Sequence, residues 1–230
     1  MKILGLIGGI SWVSTADYYR YINTFANEHL GGIEYPTCLI HSFNYAEIKK
    51  NNDTNDWNST LNMFAEAGEN MKRSGVEGIV LCANTMHLVA DELEKKIGLP
   101  VIHIASATAL EIEKKKLKKV ALLGTRFTME RDFFTSKLKD RGIETIIPKD
   151  ADRAYIHEVI FEEFGRGIFL PETKVKFLSI MQKLIAEGAE GIVLGCTEIP
   201  LLIKQEDFNA PLFDTTLIHA KAAVDFALGR

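Results

Sequence analysis

The second half of the chain copies the first. Ile3-Leu4-Gly5-Leu6-Ile7-Gly8 is echoed by Val120-Ala121-Leu122-Leu123-Gly124. Val76-Glu77-Gly78-Ile79-Val80-Leu81 is echoed by Ala189-Glu190-Gly191-Ile192-Val193-Leu194, and Pro100-Val101-Ile102 by Pro211-Leu212-Phe213. A chain that repeats itself in this way builds one supersecondary scheme twice. The repeated segments belong to a set of short apolar runs, namely Ile3–Gly8, Cys38–His41, Gly78–Cys82, Val101–Ile104, Val120–Gly124, Ile143–Ile147, Gly191–Gly195 and Leu212–Asp214. They are continuous rather than alternating, so they read as strands covered on both faces, as in a parallel sheet. Between them run stretches of helical period. Trp57, Leu61, Phe64 and Met71 fall on one face, as do Val175, Leu178, Met181 and Ile185. Gly75 and Gly188 read as helix stops. The expectation is an α/β protein of two similar lobes, each a four-stranded, mainly parallel sheet flanked by helices. Residues 1–106 with 215–230 form the first lobe and residues 107–214 the second. Ligands of open parallel sheets bind beyond the carboxyl ends of the strands, so the active site is expected in the cleft between the lobes.

Composition narrows the partners. The 230 residues carry a net charge of −4, with a pI near 5.9 and a mean hydropathy of +0.01. No global basic field is there to hold nucleic acid or an anionic membrane. The one basic run, Lys114 to Lys119, follows an apolar helical segment and reads as a solvated helix end. The apolar N-terminus is short and lacks a small-residue cleavage site, so it reads as a first strand rather than a signal peptide. No stretch approaches a membrane span. Three cysteines, an odd count, argue against a disulfide framework and fit free thiols in a reducing cytoplasm. With no CxxC, no HExxH and six scattered histidines, no metal site is expected.

Chemistry gathers at the end of the third strand of each half. There stand Cys82-Ala83-Asn84-Thr85-Met86-His87 and Cys196-Thr197-Glu198-Ile199-Pro200. A helix beginning just after each cysteine would bring unpaired N–H groups and a positive dipole end. Such a setting lowers a thiol's pKa and holds a carboxylate. The bland alternative is two buried cysteines closing a strand. Their matching places in the repeat favour function. Ser11, Ser14 and Thr15 follow the first strand, and Thr125 and Thr128 follow its copy; each could touch a ligand or cap a helix. Gly8-Gly9 lacks GxGxxG spacing and reads as a tight strand-to-helix turn. Asn52 lies in the polar stretch KKNNDTND, expected as a loop. Arg126 and Arg166 could meet a side-chain carboxylate, His87 could orient a cysteine or pack beneath the site, and Cys38 reads as core.

GGISWVSTADYY (Gly8–Tyr19), HSFNYAEI (His41–Ile48), LCANTMH (Leu81–His87), LLGTRFTM (Leu122–Met129) and GCTEIP (Gly195–Pro200) together resemble the aspartate/glutamate racemase family. The resemblance covers nearly the whole chain and is particularly close to bacterial members that begin with a GGMSWEST-type motif. It implies racemisation of aspartate or glutamate without pyridoxal phosphate or any other cofactor, and a homodimer. It also implies two catalytic thiols, Cys82 and Cys196, on opposite faces of the substrate Cα. One takes the proton as thiolate and the other returns one. Ser11, Ser14, Thr15, Asn52, Ala83, Asn84, Thr85, Thr125, Thr128, Thr197 and Glu198 would then surround the substrate, with backbone amides and hydroxyls holding the charge that develops on its carboxylate. One departure stands out. The family's first motif places cysteine directly before Asn-Thr, whereas Ala83 intervenes here. Aligning the repeat pairs Cys82 with Gly195 and Ala83 with Cys196. Either Cys82 serves from a shifted register, or the first thiol is missing. Relatives of the same architecture include hydantoin racemases, maleate isomerases and arylmalonate decarboxylases, so a one-cysteine decarboxylase or isomerase, or a non-catalytic amino-acid-binding protein, is the alternative.

Overall fold

The computed structural model describes residues 1–230 and divides into two compact units. The first comprises Met1–His103 with His219–Arg230, and the second Ile104–Ile218.

The first unit runs β1 (Leu4–Gly8), α1 (Trp12–Leu30), β2 (Cys38–Ser42), α2 (Tyr45–Asp53), α3 (Trp57–Arg73), β3 (Gly78–Leu81), a 3-10 turn (Thr85–Val89), α4 (Ala90–Ile97) and β4 (Val101–Ile102). Its strands pair in the order β2-β1-β3-β4, all parallel, with Leu4 opposite both Cys38 and Gly78. Strand residues alternate between two apolar layers, as the period of two demands. Ile7, Ile79, Leu81 and Ala83 face a layer built from Ile48, Leu61, Phe64, Met86 and Leu93. Leu4, Leu6, Val80 and Cys82 face the other, built from Tyr18 and Ile22 of α1 and from Ala220, Ala223 and Val224. Burial on both faces is why these strands read as unbroken apolar runs. Fully burying a side chain such as Phe64 contributes about 1.5–3 kcal/mol.

The second unit runs α5 (Ile104–Lys114), β5 (Lys119–Gly124), α6 (Arg126–Glu130), α7 (Asp132–Lys139), β6 (Glu144–Ile146), α8 (Asp150–Glu162), a 3-10 turn (Phe164–Arg166), α9 (Pro171–Ala186), β7 (Ile192–Gly195), α10 (Ile199–Leu202), a 3-10 turn (Gln205–Asp207), β8 (Leu212–Asp214) and the start of α11 (Thr215–Leu228). Strand order is β6-β5-β7-β8, again all parallel. Ala121, Leu123, Ile192, Leu194 and Cys196 share one layer with Ile156, Val159, Phe177, Ile180 and Leu184.

The repeat extends to individual hydrogen bonds. Past α3, the Val76 N–H donates to the Met71 carbonyl (3.1 Å) around Gly75, at φ +90°. Past α9, the Ala189 N–H donates to the Leu184 carbonyl (3.1 Å) around Gly188, at φ +96°. Both glycines therefore stop their helices in the left-handed region. Glu77 accepts from the Ile3 N–H, and its counterpart Glu190 from the N–H groups of Lys118 and Lys119, so each carboxylate ties down the start of its central strand.

Three expectations need correction. The buried stripe of α9 is Thr173, Phe177, Ile180, Met181 and Leu184, and Val175 is 68% exposed. Of the stripe expected from sequence, Met181 is fully buried and Leu178 and Ile185 pack against the core, so Val175 alone turns to solvent. Asn52 lies in the last turn of α2 rather than in a loop. Cys38 begins β2, an edge strand, and is only half-buried. The basic run leads from the last residue of α5 into the first of β5, and Lys114 pairs with Glu111 and Lys119 with Glu144. No helix is long and apolar enough to cross a membrane.

Candidate active site

In each unit the chain crosses over between its two central strands, β1 and β3 or β5 and β7. Their carboxyl ends are therefore the topological switch points of the two sheets. Every candidate residue quoted from the motifs lies there, apart from Asn52.

In the first unit β1 ends at Gly8-Gly9. Gly9 sits at φ +85°, and a Cβ there would fall 2.1 Å from the Phe43 carbonyl oxygen. Only glycine fits so close a turn. Ser11 caps α1, its hydroxyl accepting from the Ser14 N–H. Thr15 accepts from the Gly9 N–H (3.0 Å) and donates to the Ser11 carbonyl (2.9 Å). Ser14 donates to the Cys82 carbonyl at 2.8 Å. Ser14 and Thr15, expected to touch substrate, are thus buried and committed to tying the β1 turn to the β3 turn.

The first thiol also departs from expectation. The Cys82 N–H pairs with the Ile7 carbonyl (2.9 Å), and its side chain enters the apolar layer beneath α1, 1% exposed. Burial, with Cys38 nearby, pushes the Cys82 thiol up rather than down. Ala83 occupies the opposite face, 9% exposed. Buried Asn84 and partly buried Thr85 lead into a five-residue 3-10 turn, not an α-helix. The dipole expected to lower the thiol's pKa is that of a single turn.

Beneath this loop lies a polar cluster that the sequence motifs do not reveal. His87 is buried, its Nδ1–H donating to the carbonyls of Ala83 (3.1 Å) and Asn84 (3.3 Å), while its Nε2 is buried without a hydrogen bond. His219, in α11, donates through Nε2–H to the Ile102 carbonyl (2.6 Å) and accepts from the Tyr18 hydroxyl at Nδ1 (2.7 Å). The His87 ring lies 4.9 Å from that of His103 and 5.2 Å from that of His219. Burial holds both imidazoles neutral, pushing His87 down to about 4 and His219 to about 3. The signal was invisible because Tyr18 and His219 stand 201 residues apart. Separately, in α2, the Oδ1 of Asn52 is buried with no hydrogen-bond partner.

In the second unit β5 and β7 end at Gly124 and Gly195. A Cβ on Gly195 would meet the Leu123 carbonyl oxygen at 2.7 Å, so the position matching Cys82 has no room for a side chain. Thr125 caps the short α6, accepting from the Thr128 N–H at 3.3 Å. Thr128, expected at the substrate, is fully buried with its hydroxyl 3.3 Å from that of Thr125. Cys196 follows Gly195 and is 8% exposed. Its Sγ lies 3.0 Å from Glu198 Oε2, and the Thr197 hydroxyl donates to the same oxygen at 2.7 Å. Burial and then the adjacent Glu198 carboxylate push this thiol well above its ordinary range. The expectation of a lowered thiol pKa is therefore reversed here too. The helix after the motif, α10, is only four residues long. Arg126 is exposed at the start of α6, and Arg166 is exposed and paired with Glu162. Neither is held in a site.

Comparison with known proteins gives these features a context. The family model for Asp/Glu/Hydantoin racemase matches residues 7–223. The chain is 44% identical to a Yersinia pestis protein assigned as an Asp/Glu racemase, covering 99% of this chain and 100% of that one with a TM-score of 0.94. It is 35% identical to an aspartate racemase homologue from Pyrococcus horikoshii OT3, covering 99% and 100% with a TM-score of 0.87. The broad specificity amino-acid racemase RacX of Bacillus subtilis (strain 168) is 23% identical over 228 residues, 96% of each chain. Two four-stranded parallel sheets with this motif set and these relatives lead to one assignment: the chain belongs to the Asp/Glu/hydantoin racemase family of isomerases.

Proposed function

We propose that the protein racemises an acidic amino acid, aspartate or glutamate, by moving the Cα proton through a cysteine thiol without a cofactor. The observation that carries this reading is the Cys196–Glu198 pair at the carboxyl end of β7, a thiol held 3.0 Å from a carboxylate within the GCTEIP segment. Cys196 is the proton-transferring group. Cys82, with its sulfur in the apolar layer under α1, is structural. Only one face of Cα then meets a thiol, and the proton on the other face is exchanged with water, because Ala83 has no group to carry it. The buried Oδ1 of Asn52 lacks a donor, and the ammonium group of an amino acid would supply one. Ser11, Asn84, Thr85, Thr125 and Thr197 are the remaining polar groups at the strand ends, suited to holding carboxylates.

Conversion of L- to D-aspartate and L- to D-glutamate, followed by chiral chromatography, tests the reading. Turnover should survive chelators and carbonyl reagents, because the proposed proton transfer involves neither a metal nor a carbonyl cofactor. It should vanish in Cys196→Ala, with the circular dichroism spectrum unchanged. Full turnover by that variant would remove the proposal. The presence of Ala83 in place of a second thiol also favours a one-thiol reaction such as decarboxylation. Carbon dioxide release from a disubstituted malonate, with no turnover of either amino acid, would identify that alternative.

A further inference from the structure

We propose that His87 is a positioning residue of the active site, setting the turn after β3 through its Nδ1–H so that Asn84 and Thr85 meet a substrate carboxylate. The inference rests on the racemase reading and concerns a buried imidazole that the proton transfer leaves unused. Three observations carry it. First, three successive carbonyls of the turn are fixed by side chains, Cys82 by the Ser14 hydroxyl at 2.8 Å, and Ala83 and Asn84 by His87 Nδ1–H at 3.1 and 3.3 Å. Second, the repeat aligns Ala83 with Cys196 and His87 with Pro200. The Cys196 carbonyl accepts from the Ile199 N–H at 3.2 Å, a bond the backbone makes by itself. In the first unit the equivalent carbonyl accepts from an imidazole instead. Third, the other ring nitrogen, Nε2, is buried without a hydrogen bond. A buried acceptor left unmade costs stability, and an apolar side chain packed there would avoid that cost. What Nδ1–H does accounts for an imidazole at this place.

Peptide geometry carries the effect outward. In a trans peptide the N–H points opposite to its C=O. With the Ala83 and Asn84 carbonyls turned to His87, the N–H groups of Asn84 and Thr85 point away from it. The same two bonds fix the backbone from which the Asn84 and Thr85 side chains leave. These groups are thus oriented before a carboxylate arrives, which is what preorganisation requires. His87 itself is 2% exposed and acts through the turn rather than on the substrate. A carboxylate is held in the ground state as well as in the transition state, so loosening the turn raises KM more than it lowers kcat.

Two substitutions separate this role from packing. In His87→Asn the amide nitrogen stands where Nδ1 does, and in His87→Gln it stands where Nε2 does. Calorimetric binding of aspartate and glutamate is measured for each in the Cys196→Ala background, where no turnover disturbs the titration. His87→Gln should weaken binding by at least about tenfold, the weight of one misplaced hydrogen bond to a charged group. His87→Asn should restore most of that loss. With Cys196 present, the His87→Gln defect should appear in KM rather than in kcat. Packing alone predicts the reverse order, because Gln fills more of the imidazole's space than Asn. Equal binding by the two variants, or tighter binding by His87→Gln, would overturn the inference while leaving the racemase reading in place. Proton–nitrogen correlation spectra of the parent protein check the same point without a variant or a substrate. The His87 proton should sit on Nδ1, and a proton on Nε2 alone would overturn the inference. A parent protein that exchanges no Cα hydrogen would instead overturn the racemase reading itself.

Discussion

Side-chain direction at two adjacent positions decides what the first half can contribute. A shift of one residue along a strand moves a side chain to the opposite face. Ile79, Leu81 and Ala83 point one way, Val80 and Cys82 the other. The matching series in the second unit, Ile192, Leu194 and Cys196, faces the corresponding layer of its own sheet. Ala83 is therefore the positional equivalent of Cys196, as the aligned repeat indicates from sequence, and Cys82 matches Gly195. Cys82→Ala should cost about 1 kcal/mol of stability, a small core truncation, and leave activity unaltered in a chiral assay. Ala83→Cys places a thiol at the position that matches Cys196 in the repeat, and on the proposed mechanism should raise the racemisation rate above that of the parent. A Cys82→Ala variant as inactive as Cys196→Ala would contradict this assignment. That the Ser14, Thr15 and Thr128 hydroxyls are occupied was not legible, since Ser14 is bonded to a carbonyl 68 residues away.

Elements explain where the motif reading ran ahead of the physics. A strand end followed by small polar residues signals a helix start, and the helix dipole would favour a thiolate. The chain forms only a 3-10 turn after β3 and one short turn after β7. The thiols are instead governed by burial, which disfavours their charged form. The histidine cluster is assembled from α1, the turn after β3, the segment after β4, and α11, elements whose proximity the topology creates and no local pattern announces. Its consequence is testable. His87 and His219 titrate at about 4 and about 3 in the folded protein, below the ordinary histidine value. The unfolded chain then binds more protons than the folded one in this window, so stability rises with pH there. Their contribution is complete above about pH 6.5 and is lost progressively as pH falls toward 4. Urea midpoints between pH 7 and 4 should decline, and His87→Gln should flatten the slope. A slope unchanged by that variant would show that His87 is not held neutral by the fold.

For the whole molecule, the repeat carried most of the fold. Continuous apolar runs, paired glycine stops and matched prolines are consequences of building one parallel scheme twice, so both sheets and their strand complements could be read from the chain. The bond pattern confirms how deep the copy goes, with Ile79 and Ile192 each pairing to the carbonyl of the matched prolines, Pro100 and Pro211, at 2.9 Å. What the copy does not preserve is the chemistry, because the thiol and the carboxylate occur together in one half alone. A racemase has an equilibrium constant of one, so this asymmetry cannot appear in the ratio of forward to reverse specificity constants. It appears in Cα exchange. The most direct measurement is proton NMR of each enantiomer of aspartate and glutamate in deuterated buffer, following loss of the Cα signal alongside inversion. One enantiomer should lose its Cα hydrogen faster than it inverts, the other should lag behind it, and Cys196→Ala should abolish both. Equal exchange of the two enantiomers with inversion keeping pace, or exchange that persists without Cys196, would contradict the account.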